Sequence, residues 1–117
     1  MTASLLNGGD DGVCGCMTSG GTESILMAAK THRQWGEVEK GITEPEVICA
    51  GSAHAAIYKA ADILRLKIVE VPIDEVTMEM DIGATKAAVT PNTVLIYASA
   101  PNYPQGIIDP IAKLSEV

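Results

Sequence analysis

An α/β fold, with helices laid against a mainly parallel sheet, is what this 117-residue sequence predicts, and three observations carry the expectation. Apolar residues recur at helical spacing over 22–35 and 53–66, where side chains three and four positions apart share one face. Between and after them stand short aliphatic runs at 47–50, 67–71 and 93–98, and strands that alternate with helices are joined by crossovers that leave them parallel. The composition agrees: 47% of residues are hydrophobic but only 3% aromatic, with no Phe, which leaves the core to Ile, Val, Leu, Ala and Met.

Each element has its own warrant. Gly8, Gly9, Asp10, Asp11 and Gly12 make an opening turn. The first helix starts near Thr22, runs through Ile25, Leu26, Ala28, Ala29 and His32 towards Trp35, and stops in the region of Gly36 and Gly41. Residues 47–50 form a short buried strand after Pro45. Over 53–66, His54, Ile57, Tyr58, Ala61 and Leu64 trace one helical face, with Lys59, Asp62 and Arg65 turned away. Residues 67–71 read as a strand closed by Pro72. A third helix runs from Asp81, a good N-cap, to Val89, before Thr90 and Pro91 end it. Residues 93–98 give the clearest strand. A last helix begins with Asp109 as N-cap and Pro110 in its first turn.

Charge and composition narrow the function classes. Eight basic residues against fifteen acidic give a net charge of −7, and no Lys/Arg run exists to neutralise a phosphate backbone. Nucleic acid is therefore excluded as a partner, and anionic membrane surfaces are disfavoured for the same reason. Apolar runs such as 94–98 fall far short of the ~20 residues of a spanning helix, and no leader pattern opens the chain, so a soluble, cytoplasmic chain is expected. Cys14, Cys16 and Cys49 cannot all pair and read as thiols of a reducing compartment. Cys14 and Cys16 with His32 lack a second ligand pair, and no metal site is expected.

Two features bear on chemistry. Thr18, Ser19, Gly20, Gly21, Thr22, Glu23 and Ser24 precede a helix, where glycines admit close approach and first-turn amides point outward at the positive end of the dipole. That suits a phosphate monoester; equally, Thr22 or Ser24 could simply cap the helix. His54, after Gly51 and Ser52, fits a core or capping role as well as a ligand-facing one. Lys59 lies on a polar face near Asp62, Glu37, Glu39, Glu44 and Glu46 read as a solvated connection, and Met78 and Met80 as packing at an exposed edge.

Taken in order, CGCMTSGGTESILMA from Cys14, SAHAAIYKAA from Ser52, SAPNYPQGIIDP from Ser99 and LNGG from Leu6 resemble the sphingosine-1-phosphate lyases, pyridoxal-phosphate enzymes of the group II decarboxylase superfamily. The resemblance covers essentially the whole chain. It implies a partial pyridoxal-phosphate transferase-like (fold type I) large domain, residues 1–117 being part of one cofactor-binding domain truncated at both ends. It implies pyridoxal 5'-phosphate as cofactor, with Gly21 and Thr22 on its phosphate, His54 stacked on its ring and Ser99 lining its cleft; Gln105 stands where many relatives carry histidine. The Thr-His-Lys that carries the family's Schiff-base lysine is not matched, since Thr31-His32 is followed by Arg33, so no catalytic residue is expected within the chain and the isolated fragment should be inactive. The implied parent cleaves a phosphorylated sphingoid base to a long-chain aldehyde and phosphoethanolamine. It would be a homodimer, held at the endoplasmic reticulum membrane in eukaryotes with this domain facing the cytosol. An amino-acid decarboxylase using the same cofactor, or a non-catalytic truncated phosphate-binding module, are the alternatives.

Overall fold

A computed structural model describes residues 2–8 and 12–117. Gly9, Asp10 and Asp11 of the expected opening turn lie outside the described residues. A short helix that no sequence signal announced, α1 (Thr2–Leu5), comes first. It is followed by α2 (Gly21–Lys40), β1 (Glu46–Ala50), α3 (Ala55–Leu64), β2 (Lys67–Val71), α4 (Ile82–Ala88), β3 (Thr93–Tyr97) and α5 (Ile111–Leu114). The strands form one sheet in the order β2-β1-β3, both pairings parallel, as the alternation of elements requires.

The central strand β1 is buried at all five positions, so it carries aliphatic side chains on both faces and reads as a continuous run. One face of the sheet is covered by α2 and α3 over Ala29, Ile42, Val47, Cys49, Ile57, Ala60 and Val94. The other is covered by the segment from β2 through α4, and by α5, over Ile48, Ala50, Val71, Met80 and Leu114. Full burial of a side chain such as Ile48 or Ile57 contributes roughly 1.5–3 kcal/mol, so the core is anchored on β1 and the inner face of α3.

Several sequence expectations need correction. Gly36 does not stop α2; the helix runs through it to Lys40 and ends at Gly41, whose left-handed backbone (φ 66°) turns its N–H back to the carbonyl of Glu37. Gly36 is there because a Cβ would stand 2.6 Å from Val94 Cγ1, so the missing side chain lets helix and strand approach. Met80 is not at an exposed edge but is 1% exposed in the second core, bridged to Ile73. Glu46 is no part of a solvated connection: it is 5% exposed and accepts from Lys67 Nζ at 2.7 Å and Thr90 Oγ1 at 2.6 Å. Asp109 does not cap α5, whose N-cap is Pro110; its carboxylate turns inward instead. The cap at Asp81 is as expected, its Oδ1 accepting from the Ala84 N–H at 2.7 Å.

The pairing of β1 with β3 slips by one residue between Glu46 and Val47, leaving Val94 without a partner in the register. Consecutive residues Val94 and Leu95 therefore both join the α2/α3 core, which a regular strand could not do.

Candidate functional site

Parallel sheets place ligand sites beyond the carboxyl ends of their strands. Here that edge carries the turn after β1, with Ser52 and His54, and the loop after β3 that begins at Ala98. They enclose an open recess of about 510 Å³ lined by His54, Tyr97, Ser99, Asn102 and Tyr103. Two of the four expected site residues, His54 and Ser99, thus line one recess although they lie far apart in the chain.

His54 sits at the N-cap of α3 in extended conformation and not on its face, as the periodicity suggested. Its Nδ1 accepts from the Ala56 N–H at 3.1 Å, which fixes the ring orientation and leaves the proton of the neutral imidazole on Nε2. The residue remains exposed, so one ring both caps a helix and faces the recess.

Gly21 and Thr22 do not line the recess; they open α2. Gly36, near the far end of that helix, packs on Val94 at the start of β3, and only residues 41–45 join the end of the helix to the start of β1. The helix therefore runs antiparallel to the sheet, and its N-terminus comes to the same edge as His54. The N-cap, Gly20, makes no side-chain hydrogen bond to the first turn, and neither Thr22 nor Ser24 caps the helix; Ser24 Oγ is bonded to Thr18 Oγ1 at 2.6 Å. A Cβ at Gly20 or Gly21 would meet nothing within 4 Å. Glu23 reaches back to the Ser19 N–H and hydroxyl, at 2.7 and 2.5 Å, and these bonds hold its carboxyl below the usual range. The donors of Ser19 are thereby used, and the amides of Gly21, Thr22 and Glu23 are left without an acceptor in the first turn.

Burial raises the phenol of Tyr97, on the recess wall, above its ordinary pKa. Behind it, burial pushes Tyr58 far up, assisted by its 2.6 Å hydrogen bond to Glu70, and burial raises the Cys49 thiol. All three stay protonated at neutral pH, so none puts a negative charge behind the recess.

Sequence reasoning missed the residues that shape the loop. Asn102, 2% exposed, accepts through Oδ1 from the Gln105 and Ile107 N–H groups, both at 3.2 Å, which leaves Gln105 itself exposed at the loop tip. An asparagine opening a Pro- and Gly-containing loop is a turn signal that could have found it. Its Nδ2 has no acceptor, and neither has the buried Oγ of Ser52. Buried donors left unmet cost about 1–3 kcal/mol each, and both of these stand at the carboxyl edge of the sheet. Elsewhere, Cys14 and Cys16 line a separate hollow beside α1, and His32 lines another along β3, so the three do not share one site.

The class these features define is the large-domain fold of the pyridoxal-phosphate enzymes of fold type I. The Oryza sativa TDC solved with PLP and tryptamine superposes with a TM-score of 0.81 over 98% of this chain and 28% of its own, at 15% identity, a likeness of fold alone. Within that class the chain is homologous to the sphingosine-1-phosphate lyases. It is 50% identical over 117 residues to sphingosine-1-phosphate lyase 1 of Rattus norvegicus and 40% identical over 117 residues to the Saccharomyces cerevisiae lyase. The Burkholderia pseudomallei sphingosine-1-phosphate lyase structure matches 98% of the chain at 43% identity with a TM-score of 0.92. The chain spans 20% of the rat protein and 28% of the Burkholderia chain. No protein-family model matches the sequence. Among the described residues no helix is long and apolar enough to cross a membrane.

Proposed function

We propose that the 117 residues form part of the cofactor-binding large domain of a pyridoxal-phosphate-dependent lyase. Its reaction is cleavage of the C2–C3 bond of a phosphorylated sphingoid base to a long-chain aldehyde and phosphoethanolamine. Identity to lyases of that name along the whole chain is the observation that carries this reading. The recess at the sheet's carboxyl edge supports it. Bound there, pyridoxal phosphate supplies the electron sink that stabilises a carbanion.

The chain's own residues would bind and orient. The outward amides of Gly21 and Thr22, at the positive end of a 20-residue helix, receive the phosphate. His54, held by its bond to Ala56, lays its imidazole against the ring, and Ser99 bounds the cleft at the end of β3. No lysine lines the recess among the described residues, so the amine-bearing group of the reaction comes from outside this set. The functional unit would be a homodimer, held at the endoplasmic reticulum membrane in a eukaryotic host.

Titration of the whole protein with pyridoxal phosphate tests the reading, followed by assay of long-chain aldehyde from sphingosine phosphate. Gly21→Asp should weaken cofactor binding, because a carboxylate enters open space at the helix N-terminus and repels the phosphate. An unchanged dissociation constant would mean that the phosphate sits elsewhere. Carbon dioxide from an amino acid, with no aldehyde from the sphingoid phosphate, would replace the lyase reading with a decarboxylase.

A further inference from the structure

Asp109 is 2% exposed, and a buried carboxylate is costly unless its oxygens are fully used. Here each oxygen has a separate task. Oδ2 accepts from the Ser99 N–H at 2.7 Å, at the mouth of the recess. Oδ1 accepts from the Met80 N–H at 2.9 Å, in the connection between β2 and α4. The Asp109 N–H in turn donates to the Ser99 carbonyl at 2.9 Å, so Ser99 is gripped through both of its backbone groups. Residues 100–108 are an excursion whose two ends are closed at this grip, and Asn102 and Tyr103 of the recess wall ride on it. Met80 belongs to the core on the opposite face of the sheet from His54's helix. Asparagine could not substitute, since its single carbonyl oxygen satisfies one amide and its NH₂ group would face the other.

We propose that Asp109 is a positioning residue for the recess: by tying Ser99 to Met80 it sets the place of the loop wall relative to His54, without lining the recess itself. This rests on the reading of the recess as the cofactor cleft. A carboxylate with only a folding role would affect stability and leave the affinity of the folded protein for cofactor unchanged.

The test is Asp109→Asn in the whole protein, at a temperature where circular dichroism shows wild type and variant equally folded. Pyridoxal phosphate should bind on the order of ten- to a hundredfold more weakly, the size of effect known for partners that orient metal ligands, and its absorption band should shift. Without cofactor, amide exchange should rise together in the peptides holding Ser99 and Met80, while residues 47–50 of β1 stay protected. If the variant does not fold, wild type decides: loading with pyridoxal phosphate should slow exchange at Met80 as well as at the recess. Wild-type affinity and spectrum in a folded variant, or cofactor protection that stops at the loop, would overturn the proposal. Wild type that takes up no pyridoxal phosphate at all would instead remove the cofactor reading. Exchange in the unloaded variant then judges the tie alone, and a rise confined to one of the two peptides defeats it.

Discussion

His54 caps α3 and, in the proposed function, also stacks on the cofactor ring, and the two roles can be separated. Its Nδ1 caps α3, an interaction worth about 1 kcal/mol, while a stacked aromatic contact is worth about 0.5–1.5 kcal/mol. Ala removes both. Asn is among the best N-caps and keeps the first while removing the second. His54→Asn should therefore hold the melting temperature near wild type and shift the absorption band of bound pyridoxal phosphate, whereas His54→Ala should change both. A band left unmoved by Asn would reduce the residue to a helix cap. The cap was legible in the sequence, since a histidine after Gly-Ser-Ala at a helix start offers itself as one. Asp109 was less legible. Asp followed by Pro is the signature of a helix start, and nothing local marks a partner 29 residues away at Met80.

At the scale of elements, most boundaries followed from periodicity, because the buried faces of α3, β1 and β3 are aliphatic and their ends carry caps or turn residues. The end of α2 did not follow. Gly36 and Gly41 are alike in a sequence, and only the approach of Val94 distinguishes a packing glycine from a terminating one. The difference is testable. Gly36→Ala gains about 1 kcal/mol of helix propensity but forces a Cβ to 2.6 Å from a buried valine, and overpacking costs about 1–3 kcal/mol. Since Val94 is itself only 7% exposed and has little room to yield, the second effect should win. Chemical denaturation should show a net loss of about 1 kcal/mol, and a stabilised variant would show that the strand gives way.

For the whole molecule, the informative charge is Glu46, which ties the start of β1 to Lys67 at the start of β2 and to Thr90 just before β3. Its hydrogen bond from Lys67, then that from Thr90, hold its carboxyl below the usual range, and the same contact raises Lys67. A carboxyl with a depressed native pKa contributes stability above its unfolded value of about 4.3, and that contribution disappears as pH falls through the lower native value. Acid unfolding of wild type should therefore steepen below that range. Glu46→Gln should start less stable at neutral pH and show a flatter acid limb; parallel pH profiles for the two proteins would exclude Glu46 as the titrating group. Sequence reading placed this residue among solvated acids because Glu37, Glu39 and Glu44 closely precede it in the chain. Only the convergence of three strand beginnings buries it.

The one-residue slip at Val94 makes the recess depend on parity. Along a strand, faces alternate, so whether a side chain looks towards α3 or away is decided by whether an odd or even number of residues precedes it. Because the slip adds one to the count before Leu95, Tyr97 falls on the side of α2 and α3, and Ile96 and Ala98 on the other. Give that valine a partner of its own in a regular ladder and the strand would pair equally well, yet every face beyond it would be inverted. Tyr97 would point away from His54, and Ser99 would enter the loop from the wrong side. The chemistry at one end of β3 is thus indexed by a count made at the other.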